Sequence, residues 1–354
     1  YGKLWLPWGV RSVQLSQFIA GLSPVSAIIL AVALMLFSGF LMTRLTKLLR
    51  LPNVTAYILA GILIGPYVLD LVPQSIIDGT DFLSDIALAF IAFSTGEFFK
   101  LSTLKKNGLA VVWVTVLEAV LASVFVFVLT FFVLRLDLAF SIVLAALASA
   151  TAPASTMMTI RQTGAKGDFV DTLLQVVALD DVVGLVLYSV AISVALASAA
   201  GGSGFSLRTL AEPVILNLLV LALGGVFGLF MKLLMPQKRS TDNKLIISIA
   251  LLFTFCGACT LLDVSPLLGC MMMGTVYTNI AEDDKLFKQL NYFSPPILLL
   301  FFVRSGMSFR LDALFSAAGN LDGVPLLVIG VGYFFVRILG KYAGCLLYTS
   351  DAAD

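Results

Sequence analysis

Apolar residues run along this chain in long blocks, and the polar clusters fall between the blocks rather than inside them. A helix needs about 20 apolar residues to cross a bilayer, and the blocks approach or exceed that length. They predict eleven helical spans, at residues 25–45, 54–72, 82–99, 109–134, 138–160, 171–197, 213–235, 245–262, 265–281, 293–309 and 323–344. The connections are short and leave no soluble domain between spans. Gly201-Gly-Ser-Gly204 reads as a flexible loop between two groups of helices. Residues 1–24 are mildly amphipathic and predict an interfacial segment ahead of a transmembrane domain at 25–344.

The polar clusters carry an orientation signal. Fourteen Lys and Arg fall in one alternating set of loops, from Arg44 to Lys288, and five in the other, from Lys3 to Arg310. Basic loops stay in the cytoplasm. The chain is therefore expected in the cell (inner or plasma) membrane, crossing it many times, with its N-terminus outside. After Gly344 a helical pattern passes without a loop signal into Cys345-Leu-Leu-Tyr-Thr-Ser-Asp-Ala-Ala-Asp354. Residues 345–354 are read as a non-native tail on a C-terminally truncated chain.

Composition narrows the class. Of 354 residues, 60% are hydrophobic and 12% charged, which predicts an all-α polytopic membrane protein. A net charge of +1 offers no surface for nucleic acid. Histidine is absent, so proton chemistry falls to carboxylates, Lys or Tyr. Cys256 and Cys259 have redox-motif spacing but lie within an apolar helix, where they read as packing residues. No cofactor and no enzymatic activity are expected.

The few charges inside the spans then become informative. Asp180 and Asp181 are the only charged residues between Thr172 and Leu207. A carboxylate at the bilayer centre costs roughly 2.5–3.5 kcal/mol on insertion scales, so ionisable groups there mark ion or proton paths. At about 1.5 Å per helical residue, the pair lies roughly 15 Å in, near the middle of a core about 30 Å thick. Glu118 and Arg304 are the other lone charges well inside a span. Together the four groups carry a formal charge of −2, which protons or cations would neutralise. Neighbours on a helix point about 100° apart, so the two aspartates have different jobs. Their protons should come off as a coupled pair. Arg337, one turn from Lys341, reads as a side chain that snorkels to the interface.

Pro153 supplies the second feature. Thr151-Ala-Pro-Ala-Ser155 interrupts the fifth span, because proline removes a helix N–H and frees a carbonyl. Broken helices at membrane depth are tolerated where they line a cavity, and transporters hold ions at their ends. The hydroxyls of Thr151, Ser155 and Thr156 are candidate oxygen ligands for a monovalent cation beside Asp180 and Asp181.

Five stretches, in order, resemble the monovalent cation:proton antiporter superfamily of the sodium/proton exchanger type. They are Leu51-Pro-Asn-Val-Thr-Ala-Tyr-Ile-Leu-Ala-Gly-Ile-Leu-Ile-Gly-Pro66, Ala89-Phe-Ile-Ala-Phe-Ser-Thr-Gly-Glu97, Thr151-Ala-Pro-Ala154, Ala178-Leu-Asp-Asp-Val182 and Phe301-Phe-Val-Arg-Ser-Gly306. The resemblance implies an inverted-repeat fold with broken crossing helices, its core repeats near 109–197 and 293–344, and a homodimer. It implies about thirteen spans, two more than predicted here. It also implies Asp181 as the carrier of cation and proton, with Asp180 as its partner. Arg304 would fall where one branch has a lysine facing the first aspartate. Arginine keeps its proton, with a pKa above about 12. Asp180–Arg304 is thus expected as a fixed ion pair, with Asp181 alone exchanging a proton.

The expected function is exchange of Na+ or K+ for protons by a secondary transporter, with those ions and the lipid bilayer as its partners. Two readings compete on the same architecture: a potassium-efflux channel-like system and a sodium-coupled organic-anion carrier. An intramembrane aspartyl protease would need its two aspartates on separate helices and does not fit.

Overall fold

A computed structural model describes residues 16–102, 110–199, 207–236, 238–281, 284–315, 320–321 and 323–351. Lys3, Arg11, Lys105, Lys106, Gly201–Gly204 and most of the segment 1–24 lie outside the described residues, as do residues 352–354. In chain order the helices are α1 (Pro24–Leu48), α2 (Asn53–Ile64), α3 (Gln74–Gly79), α4 (Phe82–Thr95), α5 (Ala110–Phe127), α6 (Leu138–Ser149), α7 (Pro153–Thr163) and α8 (Asp168–Ala199). There follow α9 (Leu207–Leu234), α10 (Thr241–Leu261), α11 (Leu267–Ala281), α12 (Asp284–Phe293), α13 (Pro295–Met307), α14 (Leu311–Phe315) and α15 (Leu326–Asp351). Each of the eleven predicted spans coincides with at least one of them. A two-residue antiparallel pairing of Asn320–Leu321 with Val324–Pro325 is the only sheet among the described residues.

Six of these helices are long and apolar enough to cross a membrane: α1, α5 with the π turn that follows it, α8, α9, α10 and α15. The α12–α13 pair qualifies as a seventh with a 47° bend. The shorter apolar helices α2, α6 and α11 fall below spanning length by themselves. The bend has a local cause. Pro295 and Pro296 follow Ser294 directly, and proline starts a helix readily but cannot continue one. Large apolar side chains stand exposed along the long helices, such as Ile29 and Phe37 on α1 and Leu218, Leu229 and Leu233 on α9. Patches of this extent suit a hydrocarbon surround rather than water. The helix α15 does not stop at Gly344 but runs on to Asp351.

The described chain forms two compact units. The first comprises residues up to Phe90, with Met158–Gly164 and Phe287–Asp312. Its main contacts join α2 to α13 and to α1. Gly61 and Gly306 make the α2–α13 crossing possible. A Cβ on Gly61 would overlap the carbonyl of Val303, and one on Gly306 that of Ile58. Close backbone approach through small residues is the usual basis of helix association in lipid. The second unit comprises Ile91–Met157, Ala165–Leu286 and Ala313–Asp354. Here α15 packs chiefly on α5, α8 on α6, and α9 on α11.

Because the obstacles at Gly306 are backbone atoms, a side chain there cannot be accommodated by a rotamer change. Gly306→Ala is expected to cost about 1–3 kcal/mol by overpacking, read as a lower melting temperature in detergent. Gly330→Ala, where a Cβ meets nothing within 4 Å, is expected to leave it unchanged.

Candidate functional site

The site grows from the interruption between α6 and α7. Helix α6 ends at Ser149, and Ala150 is already extended, with φ −70° and ψ 143°. Pro153 is the first residue of α7. Its ring disfavours helical backbone at the preceding residue, and its missing N–H costs nothing at a helix start. The sequence therefore stops one helix and starts another within four residues. The carbonyls of the last turn of α6 are left without helical partners.

Two cations from α15 take those carbonyls. Arg337 donates through Nε to Ala148 O at 2.9 Å and through Nη2 to Ala150 O. Lys341 donates through Nζ to Ser149 O at 2.8 Å. Three consecutive carbonyls are thus covered by side chains one helical turn apart. The same Nζ lies 3.0 Å from Glu118 Oε1 and 2.9 Å from Asp180 Oδ2. One ammonium holds two carboxylates and a helix end, so all three of its hydrogens have acceptors.

Lys341 reaches these three acceptors because of its neighbours. A Cβ on Gly340 would lie 2.7 Å from Ala122 Cα, and one on Gly344 would overlap Glu118 Cα. The two glycines let the α15 backbone lie directly on α5, with Lys341 beside Glu118. Gly184 does the same for α8. One turn beyond Asp180, it would place a Cβ 2.9 Å from that of Ala150. The aspartate helix therefore packs against the unwound segment itself.

The aspartates differ as their helical offset predicts. Asp180 is fully buried. Its Oδ2 accepts from Lys341 and from Thr151 Oγ1, the latter at 2.6 Å, while its Oδ1 is buried with no hydrogen-bond partner among the described residues. Asp181 is half-buried, and no hydrogen bond or ion pair holds it among the described residues. Ser155 donates to Ala152 O at 3.2 Å, back across the interruption, and Thr156 follows half-buried on the first turn of α7. The structure thus joins Thr151, Asp180 and Glu118 directly, and Asp181 by adjacency.

Arg304 is a correction. It is not the partner of Asp180. It belongs to the first unit, where it pairs with Asp81 and donates to Ile77 O at 3.1 Å and to Ser84 Oγ at 3.3 Å. Its planar fork suits a carboxylate and a helix-end carbonyl together. The acids Asp78 and Asp81, between the second and third predicted spans, with Asp85 at the start of the third, were the sequence signal for this pairing. The partner of Asp180 is Lys341, and Arg337 caps a helix end rather than snorkelling to the interface. A lysine between two glycines in an apolar helix, Gly340-Lys-Tyr-Ala-Gly344, was the available clue. The charge count changes with the partners. Glu118, Asp180 and Asp181 against Lys341 and Arg337 leave one negative charge instead of two.

The sequence profile of the family described as sodium/hydrogen exchanger, transmembrane, matches residues 16–353. The chain belongs to this family. Its members are transporters rather than enzymes, and the chain is accordingly a multi-pass membrane protein of the sodium/proton antiporter type. The fold agrees. A structure of the sodium proton antiporter MjNhaP1 from Methanocaldococcus jannaschii at pH 8 superposes with a TM-score of 0.64 at 22% identity. It covers 91% of this chain and 79% of that one. An electron-microscopy structure of the same antiporter gives a TM-score of 0.70 at 18% identity, over 92% and 78%. A comparison with curated proteins yields no match.

Lys341 is the one counter-ion shared by two buried carboxylates among the described residues. Breaking a buried pair by removing one partner costs about 3–5 kcal/mol. Lys341→Ala is therefore expected to lower the melting temperature sharply. Adding Glu118→Gln, which removes one stranded charge, should recover part of the loss.

Proposed function

We propose that this exchanger moves Na+ or K+ against protons across the cell membrane, with Asp181 carrying cation and proton in turn. The observation that supports this most is the unequal state of the three carboxylates. Lys341 holds Glu118 and Asp180, while Asp181 has no partner among the described residues. The cluster's single excess negative charge can be neutralised by one proton or by one monovalent cation. Two ligands that compete for one charge cannot be carried together, and exclusive occupancy is what couples their opposite movements.

The unpartnered Oδ1 of Asp180 and the hydroxyl oxygen of Thr151, which keeps lone pairs while donating, would complete the cation's shell. Ser155 and Thr156 would supply further hydroxyls from the first turn of α7. We place the N-terminus outside, on the fourteen-to-five bias of basic residues between alternate loops. We also propose a homodimer as the working form.

The test is proton movement in everted vesicles from cells lacking their own antiporters. Adding Na+ or K+ should collapse the proton gradient in vesicles with the intact protein and leave it standing with Asp181→Asn. Exchange that survives this substitution would remove Asp181 from the carrier role.

The formal charge supports one proton per cation and hence no net current in proteoliposomes. Lysine, unlike arginine, can release its proton. A current that scales with transport and vanishes in Lys341→Arg would place a second exchanged proton on Lys341 and refute the one-for-one count.

A further inference from the structure

Resting on that reading of the site, we infer that Arg337 is a specificity-determining positioning residue, which withholds the carbonyls at the end of α6 from the transported cation. Broken helices in membranes offer freed carbonyls as ion ligands. Here they are occupied by this chain's own cations. Arg337 covers Ala148 O and Ala150 O, and Lys341 covers Ser149 O. Each of these three carbonyls therefore has a donor from α15, and the carboxylate and hydroxyl oxygens of Asp180 and Thr151 are left to the ion.

The two covering groups are not equivalent. Lys341 also contacts Glu118 and Asp180, so its hold on Ser149 O changes whenever the charge on those acids changes. The hydrogen bonds of Arg337 go to carbonyls alone among the described residues. A guanidinium, unlike a lysine ammonium, is a fixed fork of donors. Arg337 is therefore a permanent cover whose state does not follow the transport cycle.

The consequence for selectivity follows from ligand chemistry. Carbonyl oxygens in number favour the larger, more weakly hydrated K+, as in channel filters, whereas a few strong carboxylate and hydroxyl oxygens suit the smaller ion. By covering two carbonyls, Arg337 biases the site toward Na+. Its fixed positive charge also weakens the binding of every monovalent cation. The two effects are separable, because the second acts on all cations alike.

The experiment compares wild type, Arg337→Leu, Arg337→Gln and Arg337→Lys in proteoliposomes, measuring apparent KM for Na+ and for K+ alongside the maximal rate. Arg337→Leu removes both charge and cover, Arg337→Gln keeps donors without charge, and Arg337→Lys keeps both in part. With Arg337→Leu, both KM values should fall, and K+ should gain on Na+ by about threefold to tenfold, a shift of up to 1.4 kcal/mol. Arg337→Lys should return the ratio toward wild type, and Arg337→Gln should lower both KM values while holding the ratio nearer to wild type than leucine does. An unchanged Na+/K+ ratio in Arg337→Leu, with only the rate or both KM values moved in parallel, would overturn the inference. If the leucine variant does not fold, Arg337→Met, which also lacks a donor, replaces it: a ratio shifted toward K+ relative to Lys supports the inference, and equal ratios in the two refute it. Exchange by the wild type that Asp181→Asn abolishes, together with an unmoved ratio, would refute only the role of Arg337. Exchange that persists in Asp181→Asn would refute the carrier assignment beneath it.

Discussion

The structure of the second unit turns on how an interrupted helix is made tolerable in a medium that cannot hydrate it. Proline at 153 ends helical backbone before it, and carbonyls 148–150 lose their partners. In water such groups would be solvated at little cost, whereas in hydrocarbon each would cost several kcal/mol. Arg337 and Lys341 supply the missing donors from α15. They can do so only because Gly340 and Gly344 bring α15 onto α5, and because Gly184 brings α8 onto the interruption. The break, the three glycines and the two cations form one arrangement, and each part is costly without the others.

The carboxylates then sort themselves by what the cations leave over. Lys341 can face Glu118 and Asp180 together, and Thr151 adds a second donor to Asp180. Asp181, about 100° further round the helix, is left out. A buried charge that is paired is structure; one that is unpaired must find a proton or an ion. The same arithmetic that stabilises two of the acids leaves the third without a counter-ion among the described residues, and the proposed carrier role of Asp181 rests on that. Arg304 has no share in this. Its pairing with Asp81 secures α13 within the first unit.

Much of this was legible from the order of residue types. Hydropathy located the helical segments, since the cost of unpaired backbone in lipid leaves the helix as the only open structure for such blocks. The rarity of charge within spans pointed to Asp180, Asp181 and Glu118, because an isolated carboxylate at that depth has no structural excuse. Pro153 marked the interruption by its own covalent geometry. These inferences share a property: each depends on a residue and its near neighbours in the chain.

Partnership was a different matter. Both Arg304 and Lys341 are basic residues within apolar segments, and nothing within a few residues of either says which acid it meets. The answer depended on helix-to-helix distance, fixed by glycines at 340 and 344 against Glu118 and Ala122, more than two hundred residues away in sequence. The sequence alone therefore determined that this is a membrane-spanning helical protein with acids and a broken helix at mid-depth. Only the tertiary structure decided that Lys341 rather than Arg304 neutralises Asp180, that Arg337 closes the helix end, and that one negative charge is left over. Charge pairing falls off within a few ångströms in its specific, hydrogen-bonded form, and separations that short are set by packing, not by position along the chain.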